Sequence, residues 1–312
     1  MRFYVGVTDN SWYDFLKKLQ PDEVNFWKPS GGSFKAIQEG SPFLFKLHSP
    51  YNFIVGGGFF VKYRILPLSL AWQAFEYKNG AAEYQAFKDQ IRKYREPRGT
   101  MQFDPKIGCI ILAEPFFFNE DNWIPVPEDW KTGIIQGKTY DTQDSIGAIL
   151  WDKVQALLQN FEQPFDDRSK LKLIVETRAR YGNEYLVHPR LGQGAFRVLV
   201  TEAYNYRCAM TGERTLPVLQ ASHIKPYSQS GPHRVDNGLL LRADLHILFD
   251  KGYVTITDDY RIEVSPRIKE EYENGRDYYA MSGKQLTVLP NPDIEKPSIE
   301  FIEWHNQNIF VT

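Results

Sequence analysis

The chain has 312 residues, 42% of them hydrophobic, which is enough for two cores and too many for a disordered protein. Lys and Arg number 37 against 39 Asp and Glu, a formal net charge of −2, so no chain-wide attraction to a polyanion exists. Any nucleic acid must be met by local basic patches.

The elements follow in chain order. Met1–Val7 carries no long apolar segment, so no signal peptide is expected. No apolar run approaches the length of a membrane span, so no membrane partner is expected. Phe3–Val7 predicts a strand, and Ser11–Leu19 a short helix with Asp9, Asn10 and Ser11 as candidate N-caps. Further strands are predicted at Glu23–Phe26, Pro42–Leu47 and Asn52–Tyr63. Gly56, Gly57 and Gly58 interrupt the last of these, as a bulge or a close backbone approach would. Leu68–Tyr77 and Ala81–Tyr94 predict helices, and Ile107–Glu114 a core strand holding Cys109. Two distant cysteines, Cys109 and Cys208, do not make a disulfide framework, so a reducing, cytoplasmic compartment is expected.

Residues 1–140 therefore read as one mixed domain and 141–188 as a helical connector. In the connector, Ile146, Ile149, Leu150, Val154, Leu157 and Leu158 form one apolar stripe over Ser145–Asn160, and Leu171–Tyr181 predicts a second helix. Residues 189–312 read as a second domain. It opens with a helix over Ala195–Tyr204 and a turn over Arg207–Gly212. A strand at Val218–Ile224 and a Gly/Pro loop come next. Gly238–Leu241 then enters a helix carrying Asp244 to Phe249, and strands follow at Tyr253–Thr257 and Arg261–Val264.

The second domain carries the chemistry. His223 ends a strand, Asn237 follows a loop, and His246 sits on a helix. His246 and Asp250 are four residues apart, so they share a helix face and can grip one cation. Imidazole plus carboxylate suits Mg²⁺ or Mn²⁺, and such an ion polarises a phosphate. A near-neutral His223 can activate water as general base, with Asn237 fixing the loop or orienting that ring.

Four blocks, Cys208-Ala-Met-Thr-Gly212, His223-Ile-Lys-Pro226, Asn237-Gly-Leu-Leu-Leu241 and His246-Ile-Leu-Phe-Asp250, resemble the HNH endonucleases of restriction type, over roughly 190–265. The resemblance implies a ββα-metal fold and phosphodiester hydrolysis. It makes His223 the general base, Asn237 the positioning residue and His246 a metal ligand. Two departures stand out. Many relatives place Asp or His just before the catalytic His, where this chain has Ser222, so the expected ligands are His246, Asp250 and Asp244. Many also carry two Cys-x-x-Cys pairs. Here those places hold Cys208, Thr211, Arg242 and Leu245, so no structural zinc is expected.

The first domain has a Gly-led strand over Gly40–Leu47, a second strand with a Gly bulge, and many aromatics. This resembles the PUA-like superfamily of EVE, ASCH and SRA domains, which implies a mixed barrel that reads a modified base. Trp12, Tyr13, Trp27 and Trp72 are the candidates to stack on such a base. The expected fold class is thus α+β, a PUA-like mixed barrel followed by a ββα-metal HNH domain. The expected function is type IV-like restriction of modified double-stranded DNA. One HNH site cuts one strand, so double-strand cleavage implies a homodimer or two successive events. A catalytically degenerate DNA reader and a nucleotide-signalled antiphage effector are the alternatives. Arg190, Arg197, Arg207, Arg234 and Arg242 are candidates for a phosphate-facing patch. His233 and His305 read as solvated or packed.

Overall fold

The computed structural model describes residues 1–95, 103–159, 191–291 and 293–312. The expected helix over Leu171–Tyr181 and Arg190 lie outside them. The chain divides into two compact units, Met1–Arg190 and Leu191–Thr312. The fold is α+β.

In the first unit, seven strands form one mixed sheet in the order β2-β5-β4-β3-β1-β7, with β6 on β4. They are β1 (Arg2–Thr8), β2 (Glu23–Lys28), β3 (Pro42–Leu47), β4 (Phe53–Pro67), β5 (Lys106–Phe117), β6 (Ile124–Pro125) and β7 (Gly137–Asp141). β1 and β3 run parallel, and the other pairs are antiparallel. Side chains alternate across the sheet. Phe43 and Phe45 join the cluster under helix α1 (Asn10–Leu19), while Leu44 joins the opposite cluster with Phe3 and Trp151.

The Gly56–Gly58 run does not break β4. It lets the neighbours come close: a Cβ on Gly56 would lie 2.2 Å from the Phe116 carbonyl oxygen, and one on Gly57 2.7 Å from that of Phe43. Register shifts flank these glycines, so the strand bends rather than ends. α1 begins at the expected cap, where Asp9 Oδ1 accepts the Ser11 amide at 2.8 Å. Helices α2 (Leu68–Phe75) and α3 (Tyr84–Arg95) follow, separated by a short 3₁₀ turn.

Two readings change here. Strand β7 has a polar sequence and no apolar alternation to announce it. It forms because β1 offers an edge, pairing Phe3 with Tyr140 and Val5 with Lys138. The first connector helix, α4 (Ser145–Gln159), packs on this sheet, burying Leu150, Trp151 and Val154. Ile149, assigned to the apolar stripe, is instead 57% exposed, because Trp151 turns inward against Phe3.

In the second unit, α5 (Gln193–Ala203) precedes the hairpin of β8 (Leu219–His223) and β9 (Gly238–Arg242). Helix α6 (Ala243–Asp250) follows directly. Gly238–Leu241 is therefore a strand, not the entry to the helix. Its run of leucines is buried on both faces, and such a short run reads alike as strand or helix. A second hairpin, β10 (Val254–Ile256) with β11 (Ile262–Val264), and helices α7 (Arg267–Tyr272), α8 (Arg276–Tyr279) and α9 (Ile299–Asn308) complete the unit. One core joins α5, both hairpins, α6 and α9. At the places where relatives carry cysteines, Cys208 and Leu245 are buried in this core, and the Arg242 amide donates to Cys208 Sγ.

Candidate active site

The β8–β9 hairpin and α6 bring His223, Asn237 and His246 into one neighbourhood. His223 closes β8 opposite Gly238. Gly238 is required there, since a Cβ would sit 2.5 Å from Val200 and 3.1 Å from Phe196. That clearance lets Phe196 of α5 stack on the His223 ring, centroids 4.0 Å apart and planes 10° apart.

Burial pushes His223 down to about 4, helped by the neighbouring imidazoles of His233 and His246. The ring is therefore neutral at neutral pH and able to accept a proton. Its Nε2 lies 2.9 Å from His233 Nδ1. Its Nδ1 has no hydrogen-bond partner among the described residues.

Asn237 is buried, and all its side-chain bonds go to the loop. Oδ1 accepts the Lys225 amide at 2.8 Å, and Nδ2 donates to the carbonyls of Lys225 at 3.0 Å and Pro232 at 2.9 Å. It ties both ends of the 225–232 loop, and none of these bonds goes to the His223 ring.

His246 Nδ1 lies 2.7 Å from Gln220 Oε1 on β8. That contact makes Nδ1 the donor, because an amide oxygen only accepts, and leaves Nε2 on the Asp250 side. Asp250 Oδ2 stands 3.3 Å from that Nε2. Burial raises the Asp250 carboxyl, while His246 and the Ser222 hydroxyl act in the opposite direction. Ser222 itself is fully buried beneath this pair. An imidazole nitrogen beside a carboxylate, its other nitrogen held by an amide oxygen, suits a divalent cation as a two-donor site. Mg²⁺ and Mn²⁺ keep waters and take phosphate oxygens, so two protein donors fit them.

Asp244, expected as a third ligand, is not brought to that pair. Arg242 holds it through two bonds of 2.7 and 2.8 Å, and Tyr278 donates to it at 3.3 Å. Among the described residues, no three His, Cys, Asp or Glu side chains are grouped to hold an ion. Three arginines of the expected patch have partners within the chain: Arg207 donates to the Gly212 carbonyl, Arg234 pairs with Asp236, and Arg242 with Asp244. His305 is packed, at 2% exposure, against Phe249 and Thr255. His233 and Gln220 were missed as site residues. His233 had one signal, a second imidazole inside the loop that Asn237 closes.

In the first unit, a cavity of about 650 Å³ is lined by Trp12, Trp27, Phe34, Tyr94 and Asp9, among others. Trp12 and Trp27 thus face one space. Tyr13 does not reach it: the residue is wholly buried and its hydroxyl donates to the carbonyls of Val55 and Phe118. Trp72 packs instead on Tyr84 and Phe87 between α2 and α3. Burial would raise the Asp9 carboxyl, but Ser11, Tyr94 and Lys93 hold it below the usual carboxylate range. Lys28 and Arg95 also line the cavity, and burial lowers both.

Residues 208–257 match the HNH endonuclease family model. The HNH match spans β8, β9, α6 and β10, the elements that carry His223, Asn237 and His246. No curated protein matches the chain. Among solved structures, the modification dependent TagI restriction endonuclease aligns over 92% of this chain and 75% of its own, at 16% identity and a TM-score of 0.29. The ASCH protein from Zymomonas mobilis aligns over 47% of this chain and 94% of its own, at 12% identity and a TM-score of 0.31. No helix among the described residues is long and apolar enough to cross a membrane.

Proposed function

We propose that the protein is a metal-dependent DNA endonuclease that hydrolyses phosphodiester bonds in modified DNA. The observation that carries the nuclease reading is His223. It is a neutral, partly buried imidazole with an open Nδ1, in the HNH segment, beside the His246–Asp250 pair. In this reading His223 Nδ1 takes the proton of the attacking water. Asn237 holds the loop that flanks the base in one shape, so the ring meets substrate without reorganising. His246 and Asp250 would hold the cation. A bound Mg²⁺ or Mn²⁺ supplies Lewis-acid stabilisation of the phosphate and the leaving oxygen.

The substrate reading rests on the cavity of the first unit. Its size lies in the range of small-ligand pockets. Extruding a base from a duplex costs a few kcal/mol, and stacking it on aromatic rings returns about 1–3 kcal/mol. Trp12 and Trp27 supply the rings. The Asp9 carboxylate supplies an acceptor suited to an exocyclic amine, and Lys28 and Arg95 supply cations near the entering strand.

Incubating the full chain with modified and unmodified plasmid, with Mg²⁺ or Mn²⁺, tests both parts. Cleavage restricted to modified DNA supports the reading. Equal cleavage of both refutes the modification dependence and keeps the nuclease. A second reading, a DNA reader that does not cut, is favoured by one observation: among the described residues, no third metal donor joins His246 and Asp250. Binding without cleavage of any plasmid would establish it.

A further inference from the structure

The loop between β8 and β9 presents a second imidazole to the catalytic one. His233 Nδ1 stands 2.9 Å from His223 Nε2, with ring centroids 5.0 Å apart and planes at 56°. The placement is built, not incidental. The carbonyl of Pro232, the residue just before His233, is held by Asn237 at 2.9 Å. Gly231 closes the loop tightly, since a Cβ there would lie 1.8 Å from the Lys225 carbonyl oxygen. Tyr227 stacks on the His233 ring, centroids 4.5 Å apart and planes 10° apart. Phe196 stacks on His223. Each imidazole is thus braced by one aromatic face and aimed at the other.

Two imidazole nitrogens in one hydrogen bond share one proton, which one ring donates and the other accepts. The two arrangements differ in consequence. If His233 donates, His223 carries its own proton on Nδ1. That N–H would then be a partly buried donor with no partner among the described residues, and it could not accept a proton from water. If His223 donates from Nε2, its Nδ1 holds a lone pair, which is cheaper to leave unpaired than an N–H.

We propose that His233 is the positioning residue of the site: it fixes His223 in the Nε2–H tautomer, which leaves Nδ1 free to accept a proton. The proposal rests on the nuclease reading above. As the water oxygen bonds to phosphorus, its O–H bond breaks and the proton passes to His223 Nδ1. The imidazolium so formed keeps its second proton in the hydrogen bond to His233 Nδ1, while the leaving oxygen departs with the electron pair of the broken P–O bond. His233 then does for His223 what a third group does for the base of a catalytic triad. Among the described residues, the titratable groups acting on His223 are His233 from the loop and His246 from α6.

The test uses the full chain with ¹⁵N-labelled histidine, in wild type, His233→Ala and His233→Asn. Cleavage is followed with Mn²⁺ across pH, and imidazole ¹⁵N shifts report the tautomers independently of activity. His233→Ala is expected to lower kcat about 10²-fold with KM unchanged. The acid limb of its rate profile moves to higher pH, because one of the groups that depress His223 is gone. His233→Asn keeps an acceptor in reach and recovers part of the loss. In wild type, His223 shows a protonated Nε2 and a bare Nδ1. Full kcat in both variants, or a wild-type His223 protonated on Nδ1, overturns the proposal. A wild type inert on every DNA refutes the nuclease reading instead, and the tautomer spectrum then decides the role of His233 by itself.

Discussion

At the scale of single residues, the histidines divide by what they touch. His223 meets one partner and keeps one nitrogen open, whereas His305 uses both nitrogens, on Thr255 and the Phe249 carbonyl. Burial pushes His305 down to about 4, against the opposing pull of Phe249 and Asn306. The unfolded ring titrates near 6.5, so between these values the unfolded chain binds a proton that the folded one refuses. The second unit is therefore expected to hold its full stability above about pH 6.5 and to lose it as the pH falls toward about 4. Thermal melts across that window check this, and His305→Gln should flatten part of the slope. The motif residues His223, Asn237 and His246 were legible because four blocks fixed their order. His233 and Gln220 were not, because nothing in one sequence says which side chain will face an imidazole.

At the scale of elements, local signals succeeded where they were self-contained. The Asp9 cap could be read because a cap acts over three residues. Asp9 also accepts from Tyr94 at 2.7 Å, which links α1 to α3 across one wall of the cavity. Asp9→Ala is expected to cost about 1 kcal/mol through the cap. Chemical denaturation measures it, and a change below about 0.3 kcal/mol, a fraction of that cap value, would contradict the assignment. Strand β9 failed as a reading because five residues buried on both faces carry no period. Strand β7 failed because it is defined by its partner β1 and not by its own pattern. The same divide explains the aromatics. Trp12 and Tyr13 are adjacent on α1 and both buried, yet only Trp12 lines the cavity. Which side of a helix faces a void depends on the sheet beneath it. Trp27→Ala is expected to weaken binding to modified DNA about fivefold or more, from the lost stacking, with the rate at saturating DNA unchanged. Fluorescence anisotropy with modified and unmodified duplexes reads this directly, and an equal loss on both would assign Trp27 to the fold.

At the scale of the whole molecule, the chain forms two units with separate cores. In the proposed function, hydrolysis falls to the segment at 208–257 and recognition to the cavity of the first unit. A near-neutral chain offers weak general attraction to DNA, which agrees with the proposed engagement through one base. The measurement that tests this most directly is cleavage of a matched pair of plasmids, modified and unmodified, by wild type and His223→Ala with Mn²⁺. The expected result is cleavage of the modified plasmid by wild type, with loss of at least about 10²-fold in His223→Ala and duplex binding retained. Undiminished cutting by His223→Ala, or no cutting by wild type, would contradict the account.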